Sequence, residues 1–263
     1  MKNRYRVYKS WTEREVKELK SYGIVAEVGA FAFDLADNEI SIRVLNLAKD
    51  WGANIAWKTD YSKQEVEASE ILVYDFSKSI GYPEPSLNGG YLAATYNLEN
   101  YCTTCGSGHV QKNPFRLSKA PNWKGHLIFQ LGWTFDEIFV HEDIYHNVFE
   151  KFGVGGKEVV LDKTGKRILD VIQLDIPMTS SKLEMGEQPF ELCDSCGVKK
   201  YLNQILGLFP RLAIQSNLEA AFKSEEYFGT GLMAFKRIFF SKELRVELEK
   251  QKVKQAYIPM NWP

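Results

Sequence analysis

Excess charge, histidine and long apolar runs are all scarce in this chain, and each shortage excludes something. Across 263 residues, 33 basic and 34 acidic side chains leave a formal net charge of −1. A protein that works by gripping a nucleic-acid backbone needs a basic excess, yet the basic groups here are short, such as Lys199-Lys200. No apolar run approaches the length of a bilayer span. The opening Met1-Lys-Asn-Arg-Tyr-Arg6 continues into a charged stretch with no apolar signal core, so cytoplasmic residence is expected. Hydrophobic content of 44% and charged content of 25% are ordinary for a globular protein, and the length suffices for one large domain or two modest ones.

Catalytic signatures are equally thin. His141-Glu-Asp-Ile-Tyr-His146 has the ingredients of a metalloprotease helix, but histidines five apart point about 140° away from each other. Phe152-Gly-Val-Gly-Gly-Lys157 lacks the phosphate-loop register and follows a helix instead of preceding one, so it reads as a helix stop. No G-x-S-x-G elbow occurs. Four scattered histidines do not make a site, and no catalytic residue is assigned.

The cysteines carry the information. There are four, and all fall in two copies of one motif, Cys102-Thr-Thr-Cys105-Gly106 and Cys193-Asp-Ser-Cys196-Gly197. A C-x2-C pair sets two thiolates on one side of a tight turn, and a following glycine lets the backbone fold beneath the sulfurs. Two such knuckles supply the four soft ligands of a closed tetrahedron, the pattern of structural zinc. Cys102, Cys105, Cys193 and Cys196 are therefore the expected metal ligands. A redox C-x-x-C needs no twin and sits on a helix after a buried strand, which neither leader segment resembles. Paired disulfides would suit an exported protein. His109, in a C-x2-C-x3-H spacing, is an alternative fourth ligand but more naturally lies behind the thiolates.

Along the chain, residues 1–96 read as a mixed α/β region and 97–263 as a double zinc-knuckle α+β domain. Thr12-Glu-Arg-Glu15 is a capping box opening a helix with Val16 and Leu19 that stops near Gly23. Ile24 to Phe33 and Ile40 to Leu45 read as strands joined by an Asp37-Asn38 turn. Ser62-Lys-Gln-Glu65 is a second capping box before the apolar strand Ile71 to Phe76. Turn formers from Gly81 to Gly90 mark a break. His126 to Leu131 predicts a strand, Ile138 to Val148 a strand running into a helix, and Lys163-Thr-Gly-Lys166 a hairpin turn. Ile238 to Leu248 repeats the apolar positions of Ile138 to Val148, so a pseudo-duplicated strand–helix–strand unit joined by a zinc-ribbon-like site is expected.

The two C-x-x-C-G motifs, roughly ninety residues apart, with the late segment Phe235 to Met260, resemble the double-CXXCG family of bacterial proteins. The resemblance covers about residues 97–263. It implies a zinc-bound α+β protein that binds a partner without turnover, as some myxobacterial members do in neutralising a toxin exchanged between kin. Trp123, Trp133, Phe135, Tyr145 and Phe149 offer aromatic anchors for such a partner, with Asp136, Glu137, Glu142 and Asp143 as an acidic rim. The expected function is thus a non-catalytic immunity protein whose partner is a toxin, with a zinc-ribbon nucleic-acid or transcription-associated module as the alternative.

Overall fold

The computed structural model describes residues 1–75, 78–203, 205–214 and 218–261. The architecture is α+β, with six α-helices and several sheets among the described residues. The chain forms two compact units, Met1–Glu65 with Gln204–Leu208, and Val66–Asn203 with Phe209–Pro263.

In the first unit, β1 (Lys2–Trp11) is the middle strand, with β2 (Gly29–Ala36) and β3 (Asn54–Asp60) antiparallel on either side. Alternate residues of β1 face opposite sides of the sheet. Val7 and Trp11 are buried with Phe33 and Leu35 of β2, while Arg4, Arg6 and Tyr8 are exposed. That charged outer row is why β1 reads from the sequence as a merely charged stretch. Helix α1 (Glu13–Ser21) buries Leu19 against this cluster. Its capping box is formed: the Glu15 N–H donates to Thr12 Oγ1, and the Thr12 N–H donates to the Glu15 carboxylate at 2.8 Å.

Two expectations change here. The strand expected from Ile24 begins only at Gly29 and extends to Ala36. Ile40 to Leu45 is not a strand but part of α2 (Glu39–Asp50). Asn38, taken as a turn residue, is its N-cap, accepting the Ser41 N–H at 2.9 Å. Buried Ser41, Val44, Leu45 and Ala48 then recur at helical spacing, while Ile40 and Ile42 remain exposed.

Helix α3 (Lys63–Ala68), opened by the Ser62–Glu65 box, carries the chain from the first unit into the second. There follow β4 (Ile71–Asp75), α4 (Gly90–Thr95), β5 (Tyr96–Asn97), β6 (Val110–Gln111), β7 (Phe115–Leu117), β8 (Ile128–Phe129), β9 (Phe139–His141), α5 (Glu142–Asn147), β10 (Gly155–Leu161) and β11 (Arg167–Asp175). The rest comprises β12 (Phe190–Leu192), β13 (Lys199–Tyr201), β14 (Ala221–Phe228), β15 (Phe235–Ser241), α6 (Lys242–Lys250) and β16 (Ala256–Pro259). Phe76, expected to end the strand that became β4, lies outside the described residues. The chain divides at Glu65/Val66 rather than 96/97, because β4 is paired between β15 and β16, deep in the second unit.

Two larger sheets build this unit, ordered β7-β10-β11-β9-β8 and β12-β13-β14-β15-β4-β16, beside the two-stranded β5-β6 ribbon. Their registers match position for position. Phe139, Val140 and His141 pair with Gln173, Ile172 and Val171, as Phe239, Phe240 and Ser241 pair with Val73, Leu72 and Ile71. Gly155 to Glu158 run antiparallel to Asp175 to Ile172, as Ala256 to Pro259 do to Asp75 to Leu72. Ile128 and Phe129 face Val140 and Phe139, as Ala221 and Phe222 face Phe240 and Phe239. Even the ring stacking recurs, with centroids 5.3 Å apart for Phe129–Phe139 and 5.0 Å for Phe222–Phe239.

Alternation along β9 and β15 buries both faces. Ile138, Val140, Ile238 and Phe240 enter one shared cluster with Leu72, Leu174, and Leu244 and Leu248 of α6, whereas Phe139 belongs to another with Phe115, Phe129 and Val159. One charged pair lies inside. Lys223 Nζ donates to Glu137 at 2.8 Å, and the Gln173 amide donates to the other Glu137 oxygen at 2.8 Å. Burial disfavours the Lys223 charge, but Glu137 and Asp136 outweigh it and hold the pKa above its ordinary value.

Candidate metal centre

Each cysteine pair sits at the tip of a hairpin, the first between β5 and β6 and the second between β12 and β13. The backbone turns are the same. The Cys102 N–H donates to Ser107 O and the Gly106 N–H to Cys102 O, both at 2.8 Å. In the second hairpin the Cys193 N–H donates to Val198 O at 3.0 Å and the Gly197 N–H to Cys193 O at 2.8 Å. Gly106 and Gly197 both hold positive φ, 82° and 72°, which lets the chain reverse under the sulfurs.

The hairpin tips meet. All four Sγ atoms of Cys102, Cys105, Cys193 and Cys196 lie within 4.8 Å of one another, and all four thiols are free. Cys102 and Cys193 sulfurs are 3.8 Å apart, Cys105 and Cys196 sulfurs 3.6 Å. Metal–sulfur bonds of about 2.3 Å imply a tetrahedron edge of about 3.8 Å, whereas a disulfide needs about 2.05 Å. The four-sulfur group therefore fits a tetrahedral ion such as zinc. Thr104 and Ser195, at matching places in the two turns, hydrogen-bond each other at 2.8 Å.

Electrostatics favour the same occupant. The N–H groups of Cys105 and Thr104 point at the Cys102 sulfur and pull its pKa down to about 6. Cys193 is lowered in the same way by the Cys196 N–H. For Cys196 the Val198 N–H favours the thiolate, yet burial and bonding to Cys102, Cys105 and Cys193 push it up to about 11. Four sulfurs this close cannot all ionise alone, and a divalent cation removes that conflict. Buried Ser107 adds a hydroxyl 3.1 Å from the Cys105 sulfur.

Lys200 is the residue that sequence reasoning missed. Read as part of a short basic group, it is 2% exposed. Its ammonium donates to the carbonyls of Cys105 at 3.4 Å, Met233 at 3.2 Å and Gly231, with Glu191 3.9 Å away. The cation thus braces the first knuckle from the strand leaving the second. Its position directly beyond the second C-x-x-C-G was the available signal. Lys200→Met should lower stability by about 2 kcal/mol in chemical denaturation, since the buried Cys105 carbonyl and the part-buried carbonyls of Gly231 and Met233 lose a shared charged donor. A change under about 0.5 kcal/mol would show that the brace is idle.

The remaining candidates scatter. His109 Nδ1 lies 3.1 Å from Gly106 O, its ring against Tyr96, and it is not part of the sulfur group. His141 caps α5 by accepting the Asp143 N–H, and His146 pairs with Glu150 at 2.8 Å. The expected aromatic patch divides: Phe149 is fully buried, Tyr145 and Trp123 are half-buried, and Trp133, beside Tyr82, and Phe135, beside Phe235, are exposed. The acidic rim divides too, because Glu137 turns inward to Lys223 and Asp136 accepts the Lys236 N–H. Packing sorted these residues by strand face, which a cluster in sequence does not reveal. Among the described residues no helix is long and apolar enough to cross a membrane. The chain matches no protein-family model, no curated protein and no solved structure.

Proposed function

We propose that this is a non-catalytic, zinc-binding interaction protein of the double-CXXCG kind, acting as an immunity protein that neutralises a toxin by binding it. The single observation that carries the reading is the closed four-sulfur group, which leaves no coordination position for a substrate. The matching registers support a duplicated unit behind it. One copy runs from β4 to β10 and the other from β11 to β16, and each lends its first strand to the other's sheet. Cys102 faces Cys193, Cys105 faces Cys196, and Phe135 meets Phe235 at 5.4 Å, so like positions touch along the axis between the copies. Zinc on that axis fixes the two hairpin tips.

A binding role needs an exposed anchor. Trp133 (47% exposed) and Phe135 (41%) supply one, with the Tyr82 and Trp133 rings 4.4 Å apart. Trp133 holds φ 70°, a strained conformation for a bulky residue, and such strain persists where a side chain is held for use. The test is co-expression with the products of adjacent genes. One of them should arrest growth alone and be harmless with this chain, and Trp133→Asp should abolish protection while zinc content and melting stay unchanged. Protection undiminished by Trp133→Asp, or no neighbouring product that is toxic, would overturn the reading.

A further inference from the structure

We propose that the second unit carries a binding site for a small organic phosphate, separate from the cysteine group. A cleft of about 350 Å³ opens between the segment after β4 and the loop after β7. Its polar lining includes Lys78, Lys119, Lys124, His126, Ser118 and Asn122, and no aspartate or glutamate lines it among the described residues. In a chain whose charges balance almost to zero, that local excess of one sign stands out. None of the three lysines has a salt-bridge partner among the described residues. Lysine ammonium groups gathered without counter-ions favour a multiply charged anion, and hydroxyl and amide groups add donors for its oxygens.

The walls are fixed. On one side the Gln130 N–H donates to Lys78 O and the Ile80 N–H to Gln130 O, both at 3.0 Å. On the other, the Trp123 indole donates to Asp170 at 2.8 Å and its ring packs on Phe129 at 5.2 Å. The His126 N–H returns to Trp123 O at 2.7 Å across a tight turn in which Lys124 and Gly125 both have positive φ, 42° and 79°. A lysine held in that region is uncommon, and strain of this kind collects at ligand clamps.

The matching place in the other sheet is built differently. There Met178 pairs with Lys223 as Ser79 pairs with Gln130. The Ser181 hydroxyl then bridges to the backbone of Ile214, donating to its carbonyl and accepting its N–H, both at 2.9 Å. By that register Tyr82 stands in the place of Ser181, and its ring lies 4.4 Å from that of Trp133. Pro177 and Glu219 occupy the places of Lys78 and His126. The fold therefore does not require this basic lining.

Size and shape narrow the ligand. A cleft of this volume is at the small end for small-molecule sites, too small for a folded polymer. Ile80, Leu117, Pro121 and the Tyr82 ring give an apolar wall beside the cations, suited to a ring carried on the phosphate. A nucleoside diphosphate has both parts.

Calorimetric titration of the zinc-loaded full chain at low salt tests this with three probes: ADP, inorganic pyrophosphate and adenosine. ADP should bind measurably, pyrophosphate more weakly, and adenosine at least about tenfold more weakly than ADP. Raising salt from about 50 to 200 mM should weaken ADP binding. The double variant Lys119→Ala/Lys124→Ala should lose about tenfold in ADP affinity with unchanged melting, whereas Lys163→Ala/Lys166→Ala, on the hairpin turn, should not. No heat from ADP or pyrophosphate, equal binding by adenosine, or full affinity in the Lys119/Lys124 variant would each overturn the proposal.

Discussion

Replacing Cys193 with serine should remove close to one equivalent of zinc per chain and lower the melting temperature by about 8–16 °C. An ion present at about a thousand times its dissociation constant stabilises the folded state by about 4 kcal/mol. For a domain of this size each kcal/mol corresponds to about 2–4 °C. Total unfolding is not expected, unlike a small zinc finger that has no other core. Here β4 lies between β15 and β16, and β11 between β9 and β10, so the sheets stay interlocked without the metal. Elemental analysis with calorimetry checks both parts. Full zinc content with unchanged melting would remove Cys193 from the ligand set, and iron in place of zinc would keep the sulfur site but change its occupant.

The two knuckle glycines should respond unequally to the same substitution. At Gly106 a Cβ would run into the Leu232 carbonyl, while at Gly197 nothing lies within 4 Å. Both positions have positive φ, so alanine costs about 1–2 kcal/mol at each for backbone conformation alone. Gly106→Ala must also displace the Leu232 segment, adding about 1–3 kcal/mol as in an overpacked core. The expected losses are about 3–4 kcal/mol for Gly106→Ala against about 1 kcal/mol for Gly197→Ala, read from denaturant midpoints at constant slope. Zinc affinity should fall with the former, because Lys200 ties the Cys105 carbonyl to those of Gly231 and Met233 in this same close approach. Equal losses at the two sites would show that the Leu232 loop yields freely.

The sulfur group was legible because its geometry is set within single turns: two residues between cysteines, then a glycine with positive φ. The same holds for Thr12 and Ser62, whose caps act over three residues. The strand–helix similarity of Ile138 to Val148 and Ile238 to Leu248 was also visible, since burial of both faces at Phe139, Val140, Phe239 and Phe240 leaves a continuous apolar run before each helix. Asn38 was misread because an asparagine suits a hairpin turn and a helix cap equally, and only the packing of Val44 and Ala48 selects the helix. Lys200 was missed because lysine is ordinarily a surface residue, and its burial depends on three carbonyls brought from elsewhere in the chain.

By itself the sequence determined the four-cysteine group, the helix starts at Thr12 and Ser62 and the apolar runs of the core strands, because each is encoded within a few residues. Only the tertiary structure decided which strands became partners. Val73 pairs with Phe239, and Gln173 with Phe139, across separations where local preference has no say and burial of both sheet faces selects the pairing. The four sulfurs meet in the same way, brought together from two hairpins about ninety residues apart in the chain.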